Sequence, residues 1–236
     1  EGGLRRTIKV RAFPDKRAVT AMNLVLGDIT LAVGDEKGML TTWRTLRSGG
    51  EEKLRQIHEL AELSAPIRDI LPSRRNKSLL TLDDNGLLHL DYMTSERHLL
   101  DLKGSSPYRM IGYSSIGNAT VALDEKGRLV THRIDCPHPE VSFSTLFGKV
   151  WYEGYDEPSY KWQTTGGQES EKKFSLVPIV FGTIKATIYA MIFAVPLALF
   201  AAIYTSHFTT PDFRRSIKPI VEIMAALPSV VIGFLV

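Results

Sequence analysis

Apolar and polar positions alternate in three stretches of the first 140 residues, and each stretch follows one plan: an apolar strand, a tight acidic turn closing on glycine, and a second alternating strand. The stretches are ITLAVGDEKGMLTTWRT, SLLTLDDNGLLHLDYMT and ATVALDEKGRLVTHRID. In the second, Leu88, Leu90 and Tyr92 share one face and His89 and Asp91 the other, the period-two pattern of a strand with one buried face. The turn glycines Gly38, Gly86 and Gly127 are 48 and 41 residues apart, which suits a propeller blade of roughly 40–50 residues. Glycine there supplies the positive φ that a short hairpin loop requires, and the preceding Asp or Asn bonds its own backbone. Segments 18–26 and 67–71 lead into these hairpins and read as the innermost strands of the same blades.

Residues 1–136 are therefore expected to form a mainly β, partial β-propeller-like domain of about three blades. A closed propeller needs about four to eight blades, so further blades are expected before Glu1. The similarity to WD40 repeats is architectural, since Trp43 stands at the signature position without its Asp or a preceding Gly-His. The acidic turns are read as plain hairpin turns. A calcium loop needs alternating oxygen ligands and a Glu well downstream of the Gly. His89, His132 and His138 lack metal-ligand spacing, and no Walker A, Gly-x-Ser-x-Gly or Gly-x-Gly-x-x-Gly motif occurs. No metal, cofactor or enzymatic activity is expected. A net charge of +3 spread along the chain gives no clustered basic footprint for nucleic acid. Cys136, the single cysteine, excludes an internal disulfide and any cysteine-rich zinc site.

The pattern changes near Phe174. Residues 137–173 concentrate Pro, Gly and aromatics and read as a connector, its rings suited to a headgroup region. Residues 174–208 read as a transmembrane helix, because the 21 residues from 186 to 206 carry no charge and would extend about 31 Å, matching a hydrocarbon core of roughly 30 Å. Pro196 is expected to kink this helix. Ala190, Ala194, Ala198 and Ala202 give it a smooth stripe for another helix. Arg214, Arg215 and Lys218 follow the span, against Lys172 and Lys173 before it, so the positive-inside rule places residues 209–236 in the cytoplasm and 1–173 outside. Lys185 either snorkels toward the outer headgroups or lines a path for an anion. The chain has no initiator Met and stops inside an apolar run, from which a longer parent polypeptide is expected.

The segments FSLVPIVFGTIKATIYAMIFAVPLALFAAIYTSHF and RRSIKPIVEIMAALPSVVIGFLV resemble the phosphate ABC transporter permease family. The upstream WYEGYDEPSYKWQ is similar to the connector of family members that carry a large periplasmic insert. The resemblance covers roughly residues 147–236. It implies a multi-pass inner-membrane subunit translocating inorganic phosphate, together with a second permease subunit, cytoplasmic ATP-binding subunits, a periplasmic phosphate-binding protein and the surrounding membrane lipid. ATP hydrolysis then belongs to a separate subunit, and the ATPase-coupling loop lies beyond Val236. Pro228 and Ser229 read as a corner between one helix and the next transmembrane helix. Glu222 is a pairing or capping carboxylate, or a functional one at the cytoplasmic mouth. Lys185, Glu222, Pro228 and Ser229 are thus the translocation or gating candidates. A membrane-anchored propeller that binds other proteins without transporting anything is the competing reading, and a soluble protein with a buried apolar helix a third.

Overall fold

The computed structural model describes residues 10–13, 15–48, 51–165 and 171–226, in two compact units, residues 1–179 and 180–236. The first unit is mainly β. Its first sheet has β1 (Val19–Leu24), β2 (Thr30–Asp35), β3 (Met39–Ser48) and β4 (Glu51–Glu62), and its second has β5 (Ile67–Pro72), β6 (Ser78–Asp83), β7 (Leu88–Tyr92) and β8 (Arg97–Leu102), each in sequential order. The third holds β9 (Tyr108–Tyr113), β10 (Ala119–Asp124) and β11 (Leu129–Arg133). The expected hairpins are β2–β3, β6–β7 and β10–β11, and the expected inner strands are β1 and β5. All pairings are antiparallel.

One device closes all three hairpins. The Gly N–H donates to the Asp carbonyl at 3.1, 3.0 and 3.0 Å, and Gly38, Gly86 and Gly127 adopt φ of +86°, +73° and +75°. The Asp carboxylate is buried in each turn, and its Oδ1 accepts the backbone N–H four residues on: Met39 at 2.8 Å, Leu87 at 2.7 Å and Arg128 at 2.8 Å. The acidic turns are thus hairpin closures, with the acid turned inward. At Asp124 burial alone would raise the carboxyl. The Arg128 N–H, the Ser106 hydroxyl and the Arg128 guanidinium outweigh it and hold the group at about 2.

The sheets stack face to face with their first strands neighbouring one another, β1 beside β5 and β5 beside β9. The second sheet is buried on both sides. Leu79, Ile67, Ile70 and Met93 pack against Ala32, Leu40 and Val25 of the first sheet region. Leu80, Leu82, Leu88 and Leu90 pack against Ala122, Tyr108 and Ile134 of the third. The end sheets each present one open face. Aligned on the turn glycines, Leu40, Leu88 and Leu129 are equivalent, yet the first two are fully buried and Leu129 is 74% exposed. Across the stack the reverse holds: Met22 of β1 is 70% exposed and its equivalent Ile70 only 1%. The described sheets form an open stack rather than a closed ring.

After β11 the chain forms the short helix α1 (Phe143–Phe147), opened by a capping box in which the Ser142 hydroxyl accepts from Thr145 N–H. A two-stranded sheet of β12 (Trp162–Gln163) and β13 (Lys173–Phe174) follows. The second unit is helical. It takes in most of α2 (Val177–Ile203), a π-helical turn over Tyr204–Phe208, and α3 (Pro211–Ala226).

The turn geometry yields a graded test. A left-handed alanine costs about 1–2 kcal/mol, so Gly127→Ala, whose new Cβ would meet nothing within 4 Å, should lose about that much stability. Gly86→Ala should lose clearly more, because its Cβ would fall 2.5 Å from Pro107 Cβ and 2.6 Å from Tyr108 N. Urea unfolding of both variants, followed by tryptophan fluorescence, measures the gap; equal losses would contradict the packing described.

Candidate functional site

Two regions carry the chemistry: the apolar span, and the strap formed by residues 150–165 and 171–175, which leads into it. The strap is bound to the sheets through buried polar groups. Lys77, just before β6, is buried, and its ammonium donates to the Leu26 carbonyl and to Glu153 Oε2 at 2.5 Å. The other oxygen of Glu153 accepts from the Thr30 hydroxyl at 2.6 Å, so this one carboxylate reaches both the first and the second sheet. Glu171 is placed the same way. It accepts from the Thr94 hydroxyl at 2.6 Å and from the Glu153 N–H at 2.7 Å. Arg44, buried on β3, donates to the Tyr152 carbonyl at 3.3 Å and to the Tyr155 carbonyl at 2.6 Å. Ser175 N–H donates to the Lys161 carbonyl and Leu176 N–H to the Leu146 carbonyl, which ties the entrance of α2 to the strap and α1.

Burial shapes the electrostatics of this joint. It pushes the Glu171 carboxyl above its ordinary value, and the nearby Glu153 charge adds to the rise against the Thr94 hydroxyl. The Tyr152 hydroxyl is pushed up to about 12, again by burial first and the Glu171 charge second. A second buried polar group lies on the second sheet, where His89 sits 2.5 Å from Asp101 and 3.4 Å from Asp83, and His98 bridges Asp91 and Asp101 at 2.9 and 3.0 Å. Desolvation raises the Asp91 carboxyl against the pull of His98. Among the described residues no group of three or more His, Cys, Asp or Glu side chains is arranged to hold a metal ion. A cleft of about 190 Å³ opens between β4 and the strap, lined by His58, Ser95, Glu96, Ser144, Lys149 and Trp151, below the usual volume of a pocket for an organic ligand.

The span covers Val177–Phe208 and is the one helix among the described residues long and apolar enough to cross a membrane. Its polar side chains bond its own backbone: Thr187 donates to the Thr183 carbonyl and Thr205 to the Ala201 carbonyl, each at 2.8 Å. Pro196 stands inside α2 and leaves the Ile192 carbonyl without its helical donor. Lys185 lies eight residues in, roughly 12 Å along the axis, with its ammonium 5.6 Å from the centroid of the Tyr189 ring. That contact partly compensates a cation short of water. Glu222 lies on α3, 4.0 Å from Lys218, both largely exposed, a pairing that contributes little to stability. Each has its partner on its own helix. Pro228 and Ser229 lie outside the described residues.

The strap anchors Lys77, Glu153, Glu171, Thr30 and Arg44 were not marked by any sequence spacing, because Lys77 and Glu153 stand 76 positions apart. The one hint is the setting of Glu153, an acid embedded in the aromatic stretch Trp151–Tyr155.

No protein-family profile matches the chain. Over 77 residues it is 30% identical to the probable ABC transporter permease protein YqgH of Bacillus subtilis (strain 168). The match takes in 33% of this chain and spans only 24% of that relative's length. Among solved structures, a chain of the crystal structure of the mitotic checkpoint complex superposes on 51% of this chain and 35% of its own length, with TM-score 0.42 and 14% identity.

The joint makes two tests. Lys77→Met would leave the Glu153 carboxylate buried without its cation, a loss of about 3–5 kcal/mol, and Lys77→Met/Glu153→Gln should recover part of it in chemical unfolding. Glu171 has a raised carboxyl, so its contribution is full below the ordinary value of 4.5 and is lost as pH rises through the folded value. Stability measured from pH 4 to 8 should therefore fall less steeply in Glu171→Gln than in the parent. Asp124 acts only from 3.8 down to about 2 and stays silent in that range.

Proposed function

We propose that the chain is part of the permease subunit of an ABC importer that moves inorganic phosphate across the bacterial inner membrane, and that its β unit is a periplasmic docking or regulatory module. The observation that carries this reading is the 30% identity to an ABC transporter permease in a chain that holds an apolar span of membrane length. Phosphate rests on the resemblance of residues 174–236 to phosphate permeases. The partners of such a subunit are a second permease, cytoplasmic ATP-binding subunits and a periplasmic phosphate-binding protein. Arg214, Arg215 and Lys218 after the span put its far end in the cytoplasm. Further spans, starting with a helix after Pro228, belong to this reading.

The β unit is on this reading an arc of a propeller. Its exposed faces, around Leu129 and Val121 on the third sheet and Met22 and Leu24 on the first, are the positions where the next and the preceding blade pack. On this reading Lys185 anchors the span rather than meeting the transported ion, a role supported by its place near one end of the span and by the Tyr189 ring 5.6 Å from its ammonium. The competing reading, a propeller held at the membrane by one anchor, draws on there being one candidate span among the described residues.

Uptake of labelled phosphate by cells depending on the parent transporter separates them. The importer predicts uptake lost on removal of the subunit and unchanged in Lys185→Ala; uptake that survives removal leaves the anchor reading. Topology and ring closure share a second measurement in a Cys136→Ser background. Asp135→Cys should react with a membrane-impermeant maleimide from the periplasm, and Leu129→Cys should react far more slowly. Labelling of Asp135→Cys only after the inner membrane is opened overturns the orientation, and equal rates at both sites overturn closure.

A further inference from the structure

The helix α3 (Pro211–Ala226) has a different character from the span before it. Of the 27 residues of α2, Lys185 is the one charged residue, and the helix is apolar on every side. The 16 residues of α3 include Asp212, Arg214, Arg215, Lys218 and Glu222, with apolar and charged sides sharply divided. At about 100° per residue, Phe213, Ile217, Ile220, Val221 and Ile223 fall within an arc of about 160°. The three basic residues and Glu222 fall opposite, within about 100°. Phe213, Ile220, Val221 and Ile223 are all more than half exposed.

We infer that α3 lies in the plane of the membrane surface, with the Phe213–Ile217–Ile220 side sunk into the headgroup and acyl boundary and Arg214, Arg215 and Lys218 held to anionic lipid headgroups. Strong segregation of apolar from charged residues with little net hydrophobicity marks interfacial helices and not spanning ones. Two observations name lipid as the occupant of the open side. Only Thr209 and Thr210 separate α3 from the span, which ends in Tyr204 and Phe208, so the apolar side begins where the bilayer surface must be. The charges outside the apolar arc are three cations to two anions, Asp212 at its edge and Glu222 already paired with Lys218, a net positive charge of the sign that an anionic leaflet attracts. Pro219 fits the same orientation. It deprives the Arg215 carbonyl of its helical donor, and both residues lie on the charged side, where water or a headgroup can bond that carbonyl.

The inference rests on the span being in a membrane, and the test carries its own control for that. The chain in a Cys136→Ser background is placed in vesicles of phosphatidylcholine with or without phosphatidylglycerol, which gives the surface a negative potential. A fluorophore is attached at Ile220→Cys, Glu222→Cys or Leu199→Cys and quenched from lipid by brominated acyl chains or from water by iodide. Expected is lipid quenching at Ile220→Cys and iodide quenching at Glu222→Cys. The lipid signal should fall severalfold in Arg214→Gln/Arg215→Gln/Lys218→Gln and without phosphatidylglycerol. Iodide reaching both α3 sites alike, or protection of Ile220→Cys that requires added ATP-binding subunit, overturns the proposal in favour of a solvated or protein-covered helix. Equal lipid quenching without phosphatidylglycerol overturns the headgroup assignment. Loss of lipid quenching at Leu199→Cys instead defeats the membrane reading itself.

Discussion

A sheet that is apolar on both faces cannot stand alone in water, and the second sheet is one. Every residue of β6 and β7 is buried, so this sheet requires a partner on each side. Most of the first unit answers that requirement. The first sheet supplies Ala32 and Leu40 to one face and the third supplies Ala122 and Ile134 to the other. Burying a leucine is worth about 1.5–3 kcal/mol, and Leu79, Leu80, Leu82, Leu88 and Leu90 are all buried there. Polar groups caught in the same stack must then find partners inside it. That is the situation of Lys77, Asp83 and Asp91.

The strap follows from the same constraint. The first and second sheets bury Thr30, Arg44, Lys77 and Thr94, and the strap returns with Glu153, Glu171 and the carbonyls of Tyr152 and Tyr155 to satisfy them. An aromatic lining goes with it: the Lys173 ammonium lies 5.8 and 5.4 Å from the Tyr152 and Tyr155 rings. The entrance of α2 is held by what holds the sheets together. A change that loosens the β stack therefore acts on the root of α2 as well.

What the sequence made legible was local. The hairpins could be read because Asp, Gly and the alternating strands lie within a few residues of each other, and the positive φ at Gly38, Gly86 and Gly127 is a property of the turn alone. The long apolar helix α2 could be read because its composition is uniform over its length. The outer strand β4 was harder. EEKLRQIHELAE favours helix by composition, and it is a strand because β3 offers a ladder along its whole length, tertiary pairing overriding local preference. The strap anchors were hidden for a related reason, since an ion pair between Lys77 and Glu153 exists only once two distant segments meet. Of the candidates on the membrane side, Lys185 and Glu222 have visible neighbours one helical turn away, and periodicity alone could have named those neighbours.

The turns also give the stack a direction. The Gly38 carbonyl accepts the N–H of Leu63, at the approach to the second sheet, and the Gly86 carbonyl accepts that of Tyr108, the first residue of the third. Each finished turn is the landing point of the sheet that comes next, and at Gly127 the same place stands open. An array in which neighbours stabilise neighbours behaves as a one-dimensional cooperative chain. Its middle member is then the weak link for communication: if the second sheet opens, the outer two lose contact at once, whereas fraying of the third leaves the first two intact. Sensing at one end of such an array would reach the other only through the leucines of β6 and β7.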